Sequence, residues 1–338
     1  MRWRSAFMII SRAPVRITLG GGGTDLASYY SQFGGFLIAG AINKYVYISA
    51  NPRFYTSIRL SYSETEVVDK VEQIRHRIFR EALDMMGIEQ GIELASIADV
   101  PSSCGLGTSG TFTVALLNAL HAYKQSFVSQ AQLAEEACTI EIERLKEPIG
   151  KQDQYASAYG GLTCFTFDKN GNVQAEPLRV SDEQVNALEN RILLFYTGQE
   201  RQASEILREQ KERTEADDTE VISRLHQIKE IGLETRRAFE AGDLDRFGEL
   251  LHHHWETKRR LSSKVSDPRI EEWYETARKN GALGGKIMGA GGGGFFLFYC
   301  PDNGREKLVD ALLRSGLRPM RFRFDFEGAK IVANLRTY

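Results

Sequence analysis

Pro101-Ser102-Ser103-Cys104-Gly105-Leu106-Gly107-Thr108-Ser109-Gly110 lies between a strand-like segment, Ile92 to Val100, and an apolar helical run, Thr111 to Tyr123. A strand, a Gly- and Ser-rich loop and a helix start, in that order, gather backbone N–H groups and the positive end of a helix dipole at one point. Such a point binds phosphate. Two glycines allow the backbone to approach closely, and the hydroxyls of Thr108 and Ser109 fall where the first helical turn begins. The stretch reads as a nucleotide-triphosphate loop, although taken alone it is also a loop that merely caps a helix. Gly105 to Gly110 spells G-x-G-x-x-G, but a dinucleotide site needs an acidic residue about 20 positions on, at the end of a second strand. Ala131 to Glu136 look helical instead. A Walker loop fails too, because no Gly-Lys-Ser/Thr closes the glycines.

Upstream, residues 8 to 19 alternate as an extended segment, with Pro14 demoting its start to an edge or bend. Gly20 to Gly23, Thr24 and Asp25 follow, then strand-like segments at Phe36 to Ile42 and Tyr45 to Ala50. Val71, Ile74, Ile78 and Leu83 predict a helix over 69–86, stopped by Gly87. Downstream of the loop, an amphipathic helix spans 129–146 and ends before Pro148 and Gly150; Asp153 then opens Gln-Tyr-Ala-Ser-Ala-Tyr-Gly-Gly. The polar stretch 168–190 marks a boundary, giving expected domains 1–188 and 189–338. In the second half a strand at 191–197 precedes helices near 201–214, 219–241, 243–262 and 268–280. A third glycine cluster, Gly289 to Gly294, leads into strand Phe295 to Cys300. Strands and helices mix without regular alternation, which predicts an α+β fold.

With 338 residues and 42% hydrophobic content, the chain can bury a sizeable core. A net charge of -2 provides no global field for nucleic acid or an anionic membrane. No apolar run reaches the roughly 20 residues of a membrane span. The start, Met1 to Ile10, is basic and then too briefly apolar for a secretion signal, so a cytoplasmic location is expected. Cys104, Cys138, Cys164 and Cys300 are scattered, which points to reduced thiols rather than a metal or disulfide framework. His252-His253-His254 looks like a metal tract, but mid-helix only two of the three share a face.

Three glycine loops in order, with Ala13-Pro14-Val15-Arg16-Ile17-Thr18-Leu19-Gly20 and Thr24-Asp25 around the first and Lys286-Ile-Met-Gly-Ala-Gly-Gly-Gly-Gly294 forming the third, resemble the GHMP small-molecule kinases. Within that family, Gly150-Lys151-Gln152-Asp153-Gln154-Tyr155, Gly160-Gly161 and Trp255 to Ser262 resemble the bacterial D-glycero-D-manno-heptose 7-phosphate kinases. The resemblance implies two domains about a cleft, the first with a left-handed β-α-β crossover, and a third loop that braces the phosphate loop. It implies ATP and Mg²⁺ as cofactors, with ATP held by Pro101, Ser103, Gly105, Leu106, Gly107, Thr108, Ser109 and Gly110. Asp153 would orient and help deprotonate the acceptor hydroxyl, with Arg16 beside it offsetting charge on the transferring phosphoryl group. Ser109 and Glu143 would hold the metal, Glu143 by its ten-residue spacing from Asp153; Glu141, on the same charged helix, is the alternative. Gly22, Gly23, Thr24, Asp25, Gly291 and Gly292 would line the acceptor pocket.

Galactokinase-like members carry Gly-Glu-His-Thr-Asp where this chain has glycines before Thr24-Asp25, which argues against galactose. A substrate phosphate distant from the reacting hydroxyl would need cations, with Lys44, Arg53, Arg59, Lys151 and Arg259 as candidates. The reaction implied is phosphorylation of a sugar phosphate at its anomeric hydroxyl, the substrate being heptose 7-phosphate. The alternatives are a kinase of an unphosphorylated sugar such as fucose, a dinucleotide-dependent reductase, and a non-catalytic sensor on a kinase scaffold.

Overall fold

A computed structural model describes residues 7–199 and 203–335; the first residues of the basic start and of the helix expected at 201–214 lie outside them. The larger sheet is built from β1 (Ile9–Gly20), β2 (Gly35–Pro52), β3 (Ile58–Ser61), β4 (Thr65–Val68), β5 (Ile92–Ala98), β6 (Leu162–Phe167) and β7 (Val173–Pro177). The smaller comprises β8 (Ile192–Tyr196), β9 (Gly284–Ile287), β10 (Phe295–Tyr299) and β11 (Arg318–Met320), in the order β11-β8-β10-β9. β12 (Lys330–Asn334) returns to the larger sheet and pairs with β1. The division expected at 188/189 falls inside a helix, Asp182–Arg191, and the last strand crosses back over it.

The two strands expected at 36–42 and 45–50 are one continuous β2, which pairs β1 from Ile38 to Ala50, β6 from Gly35 to Gly40 and β5 from Val46 to Pro52. Pro14 is not at an edge. β12 pairs β1 only as far as Arg12, and the register with β2 shifts between Pro14 and Val15, so the missing N–H costs no ladder bond.

Eleven helices complete the described chain: α1 (Ala27–Phe33), α2 (Arg77–Met85), α3 (Thr108–Lys124), α4 (Gln130–Cys138), α5 (Gln152–Tyr159), α6 (Asp182–Arg191), α7 (Ala203–Glu215), α8 (Thr219–Ala241), α9 (Leu244–Lys258), α10 (Pro268–Lys279) and α11 (Arg305–Arg314). α3 carries no acidic residue and no basic one before its last turn, and packs on β1, β2, α4 and α5 as the central helix. The helix expected over 69–86 is shortened to α2 because side chains capture its early backbone donors. Gln73 Oε1 accepts from the N–H groups of Asp69 and Lys70, and the Glu66 carboxylate accepts from those of Arg75 and His76. One apolar cluster joins both halves, with Val15, Ile17, Phe36 and Leu106 packed with Phe239, Phe247, Met288 and Phe295. It holds the two walls of a cleft together.

Candidate active site

The cleft is a cavity of about 710 Å³ that gathers residues from all three glycine loops. The phosphate loop contributes Ser103, Gly105, Gly107, Thr108, Ser109 and Gly110. Pro101 and Leu106 do not line it: Leu106 is buried in the shared core, and the Pro101 carbonyl accepts from the Thr108 hydroxyl. Gly107 is left-handed (φ 79°) at the start of α3, a conformation a side chain disfavours.

Asp153, in the first turn of α5, is pressed against this loop. A Cβ at Gly107 would lie 2.9 Å from Asp153 Cγ, and one at Gly110 would lie 2.7 Å from Asp153 Cβ. Only glycines there let the acid meet the phosphate loop. Arg16, on β1 and almost fully buried, donates from Nε to Asp153 Oδ1 at 2.8 Å and from NH1 to the Gly105 carbonyl at 2.7 Å. One guanidinium thus ties acid to loop.

The third loop meets the phosphate loop through Phe295 N–H donating to the Cys104 carbonyl at 3.1 Å. Gly291 lines the cavity; Gly292 does not, its N–H being spent on the Val265 carbonyl at 2.8 Å. Cys104 is buried, its thiol pushed up by burial, which is the small loop-filling residue rather than a reactive one.

At the acceptor end, Gly22, Gly23 and Asp25 line the cavity. Thr24 is turned inward: its one hydroxyl proton lies within reach of the Gly21 carbonyl at 2.8 Å and the Phe36 carbonyl at 2.9 Å, and its oxygen accepts from Phe36 N–H, locking the loop rather than meeting a ligand. Asp25 accepts from Gly23 N–H at 3.0 Å and Gln152 N–H at 3.2 Å, and its carboxyl is raised by burial and by nearby Asp153. Gly150 is obligatory beside it, since a Cβ there would lie 1.9 Å from Asp25 Oδ2. Asp25 keeps acceptor capacity facing the cavity, suited to a polyol.

The expected metal carboxylate is corrected. Glu143 is exposed and outside the cavity, whereas Glu141 is buried in it. α4 continues into a wider π-helical turn, Thr139–Arg144, and the buried face running through Leu133, Ala134, Ala137 and Cys138 reaches Glu141 two positions earlier. Ser109 Oγ donates to Glu141 Oε1 at 2.6 Å, and Gln154 Nε2 donates to Glu141 Oε2 at 2.7 Å. Burial pushes the Glu141 carboxyl up to about 7, opposed by those hydrogen bonds and aided by Asp153.

No set of three or more His, Cys, Asp and Glu side chains suited to a metal occurs among the described residues. A hard cation bound here would take one carboxylate and one hydroxyl from the protein and the rest from phosphates and water, a set Mg²⁺ accepts. The buried Gln154 Oε1, without a hydrogen-bond partner beside Glu141, fits such a hydrated ion.

None of the five cations expected to meet a distal phosphate lines the cavity. Arg59 pairs with Glu93, Lys151 with Glu135, and Arg259 with Glu256 and Glu271, while Arg53 stacks over Tyr55 and Lys44 lies elsewhere. Two lysines missed from the sequence, Lys258 and Lys286, line it together with His254. Lys286 begins the third motif and was readable there; Lys258 closes a helix whose apolar face runs through Leu251, His254 and Trp255. His252 is engaged by the Tyr274 hydroxyl at 2.6 Å, so the three histidines do not converge. Ile78 and Leu145 also line the cavity, together with Arg75, His76 and Arg77, and Ile149 lines it next to Gly150.

The models described as GHMP kinases N terminal domain and GHMP kinases C terminal match residues 70–161 and 235–317. D-glycero-alpha-D-manno-heptose 7-phosphate kinase of Campylobacter jejuni is 30% identical over 337 residues, covering 95% of this chain and 98% of that protein. L-fucokinase/L-fucose-1-P guanylyltransferase of Bacteroides fragilis is 27% identical over 94% of this chain but 37% of its own length. The crystal structure of a D-glycero-D-manno-heptose 1-phosphate kinase from Bacteroides thetaiotaomicron aligns with a TM-score of 0.80 at 25% identity, covering 98% of this chain and 99% of that one. The likeness runs the length of the chain in sequence and backbone alike, and by it the chain belongs to the GHMP kinases, as a phosphotransferase acting on a sugar hydroxyl.

Proposed function

We propose that the protein transfers the γ-phosphoryl group of Mg²⁺-bound ATP to the anomeric hydroxyl of D-glycero-D-manno-heptose 7-phosphate, giving the 1,7-bisphosphate and ADP. The observation that carries this is Asp153, held by Arg16 against the phosphate loop in the same cavity as Asp25. The heptose is supported by the 30% identical relative bearing that name.

Phosphoryl transfer asks for positioning and charge neutralisation more than covalent chemistry. The loop N–H groups and the start of α3 face the nucleotide phosphates, and Ile78 and Leu145 offer apolar surface to a base. Asp25 accepts from sugar hydroxyls and sets the acceptor's orientation. Asp153 takes the anomeric proton as the oxygen bonds to the γ-phosphorus, and the bond from that phosphorus to the β–γ bridging oxygen breaks to release ADP. An anomeric hydroxyl is more acidic than an ordinary alcohol, so one carboxylate suffices as base. Arg16 offsets the negative charge spreading over the transferring group. Ser109 and Glu141 would hold Mg²⁺, which neutralises phosphate charge when bound.

The test is ADP release with heptose 7-phosphate, unphosphorylated heptose, fucose and galactose as acceptors. Turnover with heptose 7-phosphate should exceed the others by kcat/KM; equal or better turnover of an unphosphorylated sugar would defeat the substrate assignment.

A further inference from the structure

We propose that Lys258 and Lys286 form a phosphate subsite in the floor of the cleft, left vacant of counter-charge until an anionic ligand arrives. Lys258 ends α9 and Lys286 lies in β9; both are at least nine-tenths buried, and both line the cavity. Lys258 Nζ donates to the carbonyls of Ile287 and Gly289, and Lys286 Nζ lies 3.4 Å from His254 Nδ1. Neither ammonium has a carboxylate within ion-pair distance among the described residues, unlike Lys151, Lys211 and Lys264. The charged groups facing them are Arg16 from β1 and His254 from α9, with Asp153 already engaged by Arg16. α8 and β10 meet α9 through Glu234 on Arg246 and Tyr299 on Asp245, roughly three turns from Lys258.

A buried cation without a counter-charge is costly, and two near one another are more so. Burial first, and then Arg16, press the Lys258 ammonium down to about 7, and burial with the neighbouring cations holds Lys286 and His254 well below their ordinary values. A phosphate dianion entering between them supplies the missing counter-charge, so the lysines regain their protons as it binds. The ligand chemistry is a phosphate group. It comes either from the acceptor's far end or from the transferring end of the nucleotide, and only this choice rests on the kinase reading above.

The test is calorimetric titration of the full chain with sulfate, a non-titrating stand-in for phosphate dianion, at pH 8 in two buffers of different ionisation enthalpy. Wild type should bind with proton uptake, and Lys258→Met and Lys286→Met should each weaken binding at least roughly tenfold. Lys258→Arg should keep binding with fewer protons taken up, since a guanidinium stays charged. A purely structural lysine would not give that split. Sulfate that remains bound beside a saturating non-hydrolysable ATP analogue assigns the subsite to the acceptor phosphate, and displacement assigns it to the nucleotide. Sulfate bound equally by all variants with the same proton uptake would overturn the subsite. A protein that binds sulfate as described but turns over no heptose phosphate keeps the subsite and loses the proposed substrate.

Discussion

Asp153 and Glu141 make separable predictions because they contact different groups, Asp153 the Arg16 guanidinium and Glu141 the Ser109 hydroxyl. Asp153→Asn keeps the side chain's shape and its place beside Arg16 but removes the proton acceptor. Turnover should fall on the order of 10²–10⁴-fold with little change in KM for ATP; unchanged turnover in steady-state assays would remove Asp153 from the chemistry. Glu141→Gln should raise the Mg²⁺ concentration for half-maximal activity roughly 10–100-fold, whereas Glu143→Gln, in solvent, should leave it alone. A metal titration showing the reverse would restore the sequence expectation. Arg16, Asp153, Asp25 and Ser109 were legible because each stands in a glycine-bounded motif. Glu141 was legible by another signal. Leu133, Ala137 and Glu141 recur at helical spacing, whereas Glu143 falls on the wet side. A fixed spacing to Asp153 overrode the periodicity and chose the wrong carboxylate for the cavity.

Two helix starts meet back to back at the scale of elements, α3 from the phosphate loop and α5 behind Asp153. Gly110 is the spacer between them, with a Cβ position 2.7 Å from Asp153 Cβ. Gly110→Ala should therefore displace the acid by a fraction of an ångström to 1 Å, cutting kcat roughly 10²-fold while ATP still binds. Equal kcat in the variant would show that the two helices have slack there. The strands and the central helix could be read from alternation and from the apolar run after the loop. The false helix over 69–86 could not be corrected that way, because the competing partners are local side chains. Glu66 and Gln73 take the N–H groups a helix would have used, and in doing so set Arg75 to Ile78 in the lining of the cleft. Of the edge or bend read at Pro14, the bend is present as a register shift, while the edge is not, because β12 covers β1 as far as Arg12.

Across the whole molecule, the cleft holds opposite charges in unfavourable places, and stability should record it. Between pH about 4.5 and 7 folded Glu141 keeps a proton that the unfolded chain has lost, so its contribution to stability falls as pH rises. From pH about 7 to 10.5 unfolded Lys258 keeps a proton that the folded chain has lost, so its contribution rises. Both penalties are present together near pH 7. In thermal melts without ligand, the Tm advantage of Glu141→Gln over wild type should grow from pH 5 to 7, and that of Lys258→Met should shrink from pH 7 to 10; flat differences would contradict the burial of these charges. The return of β12 to the first sheet could not be read, since a short terminal strand carries no mark of its partner. The central claim is that both halves present one acceptor hydroxyl to one γ-phosphoryl group. ³¹P NMR of the protein with Mg²⁺-ATP and D-glycero-D-manno-heptose 7-phosphate tests it most directly. The account predicts a new anomeric phosphate resonance growing in step with ADP while the 7-phosphate signal persists; ADP formed with no anomeric phosphate, or phosphate on another hydroxyl, would contradict it.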